Sequence, residues 1–243
     1  MKNRKLLFSA LIVLFLIGLA IFLFPIIQKA RIESQAKQTV EQFLSARPEI
    51  IPVKPQPNTE NSEDQLPYYD LWQDAKMYNL QLLSAQREAL SSSLDYIYPQ
   101  LTLADYGLDS EVFGIISIPK LNLEMPIYLG ASSSNLSQGA AVLGQTSLPV
   151  GGTNTNCVIA GHRGWNGADF FRYITELEAG DEVIITNLWR TIRYTVTETK
   201  IIEPNDVESI YIQPEREMVT LMTCHPFASG GRYRYLVYCD REK

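Results

Sequence analysis

A chain of 243 residues, 46% hydrophobic and 20% charged, carries enough apolar material for one main domain plus appendages, since domains run to about 100–200 residues. Its net charge of −6, with no Lys/Arg block beyond the first few residues, argues against nucleic acid as a partner. Three cysteines without a CxxC or a zinc-type Cys/His spacing argue against a structural metal site and leave at least one thiol unpaired.

The first element is "LLFSALIVLFLIGLAIFLFPII", residues 6–27, roughly 22 residues without a charge and enough for a helix across an apolar layer of about 30 Å. Lys2, Arg4 and Lys5 precede it and place the N-terminus in the cytoplasm, an asymmetry that Lys29 and Arg31 weaken. A cleaved signal peptide is the alternative, but its apolar core is only about 7–15 residues long and no small-residue cleavage site follows here. The expectation is a cytoplasmic stub and single-pass anchor over residues 1–28, with everything after it outside the cell membrane. An idle thiol there is exposed to oxidation, which favours a thiol with a task.

Residues 28–46 carry apolar side chains at helical spacing and predict a juxtamembrane helix. Residues 47–67, "RPEIIPVKPQPNTENSEDQLP", are rich in Pro, Asn and acidic residues without periodicity and read as an extended linker. Over residues 70–98 the helical pattern returns, with Leu71, Trp72, Ala75, Tyr78, Leu82, Leu83 and Leu90 mostly at three- and four-residue steps. A stripe containing Trp72 predicts packing against the rest of the chain. These segments make an extension over residues 29–110.

From residue 111 the texture changes. "VFGIISIP", "LNLEMPIYLG", "TNCVIAGH", "DEVIITN", "TIRYTVTETKII", "EMVTLMTCH" and "RYRYLVYCD" are short β-branched and aromatic runs, mostly separated by Gly, Pro, Asn or Asp. They predict a mostly β domain, a sandwich or barrel, over residues 111–243. "GADFFRYITELEAG", residues 167–180, predicts a helical insert ended by its glycine.

Within "TLMTCHPF", Cys224 ends an apolar run and has His225 beside it. Along a strand successive side chains point to opposite faces, so His225 is badly placed to reach the Cys224 sulfur. The other histidine, His162 in "IAGHRGW", sits where a β run gives way to a Gly-rich turn, a rim position; taken alone it reads as a loop histidine bonded to backbone. Acyl transfer by a thiol needs a cationic neighbour, an acid for the leaving amine and a positive group for the oxyanion. "GGRYRYLVYC" offers Arg232 and Arg234, two apart and expected on the same face of one strand.

Taken together these segments resemble the sortases. "VTLMTC" is similar to their Thr-Leu-x-Thr-Cys signature, "VIAGHRG" to their histidine segment and "RYLV" to the arginine strand after the cysteine. "GIISIPKLNLEMPIYLG" and "GQTSLPVGGTNTNCVIAGHRG" also resemble sortase barrel segments. The resemblance implies a closed sortase-type β-barrel and a membrane-anchored cysteine transpeptidase. It would cleave an LPxTG-like sorting signal through a thioester and pass the protein to an amine, a cell-wall precursor or a pilin lysine. It implies Cys224 as nucleophile, His162 as acid/base and Arg234 as oxyanion or substrate-positioning group. Leu221 and Thr223 inside the signature would shape the substrate groove, with ordinary strand packing as their alternative.

No metal or organic cofactor is implied. Some relatives bind calcium through acidic loops, and nothing in this sequence marks such a site. The long extension favours a pilin-type, class C-like member slightly over general wall anchoring. "YYDLW", residues 68–72, offers an Asp and an aromatic for a lid but has Leu71 where the lid motif has Pro. A plain spacer helix is the alternative for that segment. For the whole chain the competing class is an exported β-barrel binding module with a non-catalytic cysteine.

Overall fold

The computed structural model describes residues 2–47, 66–89 and 95–242. Most of the expected linker, and Leu90 of the expected helical stripe, lie outside the described residues.

The predicted β domain is a closed barrel. Its strands are β1 (Val112–Ile118), β2 (Leu123–Leu129), β3 (Ala140–Val142), β4 (Thr155–Ala160), β5 (Glu182–Asn187), β6 (Thr191–Ile202), β7 (Glu217–His225) and β8 (Tyr233–Arg241). Among the described residues they close in the order β1-β2-β3-β4-β7-β8-β6-β5. Seven of the eight are the β-branched runs seen in the sequence. The eighth, β3, is three small residues whose pairing parallel to β2 defines it, and no run marks it in advance.

Side-chain alternation fills the barrel. Val183, Ile185 and Asn187 of β5 point inward with Ile192, Tyr194 and Val196 of β6. β1 and β2 are instead buried along most of their length, because α1 lies across them.

Helix α1 (Lys2–Ala46) joins the charge-free segment and the juxtamembrane segment in one continuous element with Pro25 inside it. The side chains described between Phe8 and Ile27 are exposed or partly so, whereas Val40 and Phe43, one helical step apart, are buried in the barrel cluster. One end of α1 thus docks on the domain, while the stretch described from Ala10 to Ile27 presents apolar surface.

Helix α2 is described over Tyr69–Ala89, within the predicted span of residues 70–98. The far end of that span departs from the expectation: Asp95–Ile97 is a 3-10 turn rather than α-helix. Leu71, Trp72 and Ala75 are buried on one face of α2, as their spacing predicts. Trp72 meets Trp189 edge-on at 5.0 Å, and Trp189 meets Phe113 at 6.0 Å. The Arg190 guanidinium lies 4.7 Å from the centre of the Trp72 ring. The "YYDLW" segment therefore packs into this cluster, and neither its aspartate nor its tryptophan lines the groove described below.

The expected helix over residues 167–180 does not form. Asn166 and Gly167 both take positive φ, 46° and 87°, in an Asn-Gly hairpin turn that pairs Trp165 with Ala168. Phe170 follows with φ 44°. The apolar residues that mimicked a helical stripe, Phe171, Ile174 and Leu177, all reach the core from loop and 3-10 backbone.

A buried polar clamp fixes α2. Asn79 donates to the carbonyl of Leu148 at 3.1 Å and accepts from the Leu148 amide at 2.7 Å. Removing it leaves two buried backbone groups without this partner, at a cost of about 1–3 kcal/mol. Asn79→Ala is expected to lower the stability of the detergent-solubilised full chain by that amount, read by denaturant unfolding.

Candidate active site

Strand register brings the three predicted catalytic residues into one row. β4 runs parallel to β7 with Ala160 opposite Met222, and the Gly161 amide donates to the Met222 carbonyl at 3.0 Å, so continuing that register by one residue carries His162 toward Cys224. β7 runs antiparallel to β8 with Cys224 directly opposite Arg234. Neighbouring strands lie about 4.8 Å apart, which sets the spacing of the row. His162, Cys224 and Arg234 all line one groove of about 530 Å³. A Cβ placed on Gly231 would lie 3.4 Å from Cys224 Sγ and 3.1 Å from Arg234 Nη1, so thiol and guanidinium converge on a single point. Gly231 has φ 82°, and the close approach of this loop depends on its lacking a side chain.

The environment of each group limits its chemistry. The His162 ring stacks on Trp165 at 4.5 Å with 10° between planes, and burial pulls its pKa below the ordinary histidine value. Arg234 donates through Nη1 to the carbonyls of Gly231, at 2.7 Å, and Tyr233, at 3.2 Å. These bonds pin one nitrogen of a five-donor fork and so fix its direction.

His225 points away from the groove, as strand alternation requires. Its Nδ1 lies 2.6 Å from Arg163 Nη1, and its ring lies 5.6 Å from Tyr235. Arginine has only donors, so His225 Nδ1 accepts and its proton sits on Nε2. Burial and the Arg163 charge both lower the His225 pKa.

Three sequence expectations change. Arg232 is not on a strand with Arg234. It is exposed in the bend before β8, because ladder pairing with β7 begins at Tyr233, opposite His225. Leu221 does not shape the groove: it is fully buried in the barrel interior, on the opposite face of β7 from Cys224. Thr223 borders the groove, yet its hydroxyl donates to the Gly161 carbonyl at 2.8 Å, which ties β7 to the segment carrying His162.

Other groove residues were missed. Met222 shares the outward face of β7 with Cys224, and alternation alone would have found it. Ile202 is the last residue of β6, opposite Arg234, Ile210 comes from the β6–β7 connection, and Tyr96 and Ile97 from the 3-10 turn after α2. Nothing in the sequence of that turn marks it as a groove wall. It is held there by the Tyr96 carbonyl, which accepts from the amides of Ala131, at 2.9 Å, and Gly144, at 3.0 Å.

Cys157 and Cys239 are free and buried, and both are register partners of Val219, one on each side of it. Burial pushes both thiols well above the usual cysteine range. Cys224 is the partly exposed thiol of the three. Among the described residues no group of three or more His, Cys, Asp or Glu side chains is arranged to hold a metal ion.

The burial of His162 has a measurable consequence. Its charged form is disfavoured, so the folded chain takes up this proton at lower pH than the unfolded chain. The associated stability is present above the ordinary histidine pKa of about 6.5 and is lost as pH falls through and below it. An NMR titration of the two histidines, assigned with His225→Gln, is expected to place the His162 midpoint below that ordinary value.

The Sortase domain family model matches residues 116–242, more than half of the chain. Sortase D of Bacillus subtilis is 34% identical over 130 residues, which cover 53% of this chain and 63% of that relative. Sortase A of Listeria monocytogenes is 31% identical over 121 residues, covering 50% of this chain and 52% of that relative. The chain thus spans less than two thirds of the length of these curated relatives. Among solved structures, sortase C1 of GBS pilus island 1 superposes with a TM-score of 0.70 at 27% identity, covering 86% of this chain and 98% of that one. Sortase C of Clostridium perfringens SM101 superposes with a TM-score of 0.63 at 28% identity, covering 85% and 99%. With its closed barrel and its matching domain, the chain belongs to the sortase family.

Proposed function

We propose that this protein is a membrane-anchored cysteine transpeptidase that uses Cys224 as nucleophile, His162 as acid/base and Arg234 as oxyanion donor. The observation that carries the reading is the single row of these side chains in one groove. The Cys224 thiolate attacks the scissile carbonyl of a sorting signal, and Arg234 donates to the oxygen as it gains charge. The departing amine takes a proton from His162 as the tetrahedral species collapses to a thioester. An acceptor amine then gives a proton to His162 and displaces the thiol. Met222, Ile202 and Ile210 offer the apolar wall against which a Leu-Pro-containing signal would lie.

A sortase C of Clostridium perfringens was solved with its C-terminal cell wall sorting motif, which supports a peptide of that kind as substrate here. Pilus assembly is the favoured role over general wall anchoring. The support is that the superposition on sortase C1 of GBS pilus island 1 covers 86% of the chain and therefore includes much of the extension beyond the barrel. The acceptor is then a pilin lysine, and in the wall-anchoring case a cell-wall precursor. The charge-free segment of α1 serves as a single-pass anchor, with the N-terminus cytoplasmic and the barrel outside.

Cys224→Ala is expected to abolish cleavage and transfer of a sorting peptide, measured by mass spectrometry, while Cys157→Ala keeps substantial activity. An inert thiol in a binding module would leave peptide binding with no cleavage in the unaltered chain, and that result would replace the reading.

The two histidines and two arginines give a second test. His162→Ala is expected to be close to inactive, and His225→Ala to keep most activity. Arg234→Lys keeps the charge but loses the planar fork, with an expected loss approaching the 10²–10³-fold (order of magnitude) of a missing oxyanion donor. Arg232→Lys is expected to be mild. Peptide cleavage rates decide, and a severe Arg232 defect beside a healthy Arg234 variant reverses the assignment.

A further inference from the structure

The Asn-Gly turn that follows His162 rests against α1 where the charge-free segment ends. Lys29 Nζ meets Asp169 Oδ2 at 3.1 Å. A Cβ on Gly167 would lie 3.3 Å from both the Pro25 carbonyl oxygen and Lys29 Cβ. These contacts fall within about one helical turn, roughly 6 Å, of Ile26 and Ile27, the last apolar residues of the charge-free segment. Beside them, Trp165 is 38% exposed, Tyr173 42% and Phe227 50%. The Arg172 guanidinium lies 4.5 Å from the centre of the Phe227 ring and 5.6 Å from that of Tyr173.

Single exposed aromatics need no explanation, but three on one rim with a cation between them form the side-chain set that settles at a membrane–water interface. Tryptophan and tyrosine rings place an apolar body in the acyl boundary and a polar edge in water, Phe227 adds apolar area beside them, and arginine lies along the boundary with its head in the headgroups. The rim is also continuous with the surface of α1, where Phe24, Ile26 and Ile27 stand exposed.

The geometry points to a second membrane contact: Trp165, Tyr173, Phe227 and Arg172 seat in the headgroup layer of the bilayer that α1 crosses. This rests on the reading of α1 as an anchor. The bilayer is the occupant rather than a protein, because the rim meets α1 at the level where the helix leaves the apolar layer. Since Trp165 stacks on His162, the contact holds the mouth of the groove at the membrane surface.

The test uses the full chain in phospholipid vesicles carrying a nitroxide either on the headgroup or deep on the acyl chain. The chain has three tryptophans, and Trp72 and Trp189 are buried against the barrel, so the emission lost in Trp165→Phe belongs to Trp165. The headgroup label is expected to remove most of that emission, and the deep label little of it. If Trp165→Phe does not fold, the same series is read on Phe227→Trp, whose added emission should be quenched in the same pattern.

Alkaline carbonate washing of the same vesicles tests the anchor separately. Protein that resists extraction while Trp165 is unaffected by either label keeps the anchor and overturns the docking. Extracted protein whose Trp165 is still quenched by the headgroup label overturns the anchor and keeps the docking. Extraction without quenching, or quenching by the deep label alone, overturns the interfacial contact.

Discussion

The parallel pairing of β4 with β7 is the constraint on which the site depends. In a parallel ladder two strands end at the same edge of a barrel, so the residue after one strand end stands beside the residue at the other. His162 and Cys224 are far apart in sequence and share one groove because Ala160 is registered on Met222. A slip of one residue in β7 would turn Cys224 into the barrel and His225 into the groove. Buried hydrogen bonds oppose that slip: Thr220 to Asn156 at 2.8 Å, and Thr223 to the Gly161 carbonyl at 2.8 Å. The Thr residues around the cysteine are thus register pins, whatever else touches them.

The antiparallel partner supplies the rest. Cys224 opposite Arg234 puts a fixed cation beside the sulfur, and the loop between β7 and β8 folds back so that Gly231 passes close to both. Arg234 reaches its place by spending one nitrogen on the carbonyls of that loop. A lysine has no second nitrogen with which to hold the loop and still present a donor to the groove.

Much of this was legible in the sequence because strands have a period of two. Alternation separated His225 from Cys224, and the β-branched runs located seven strands. Where the sequence misled, a different force had set the backbone. Residues 167–180 have helix-like apolar spacing, but Asn166 and Gly167 turn the chain first, and Phe171, Ile174 and Leu177 reach the core without a helix. Arg232 was placed on a strand because it alternates with Arg234, whereas the diglycine before it keeps the ladder from starting until Tyr233. The motif points Leu221 to the groove, although its parity relative to Cys224 places it inside, where it is buried. β3 and the Tyr96 wall had no local signal, since both are defined by partners distant in sequence.

The Tyr96 carbonyl bridges the amides of Ala131 and Gly144, and with Ile97 it closes one side of the groove from outside the residues that match the family domain. The row of His162, Cys224 and Arg234 and part of the groove wall therefore sit in separately encoded stretches. Exchange of the stretch before residue 98 between relatives would reshape the groove while leaving that row as it stands. On the proposed reading of the groove as a peptide site, selectivity and chemistry are free to diverge at different rates.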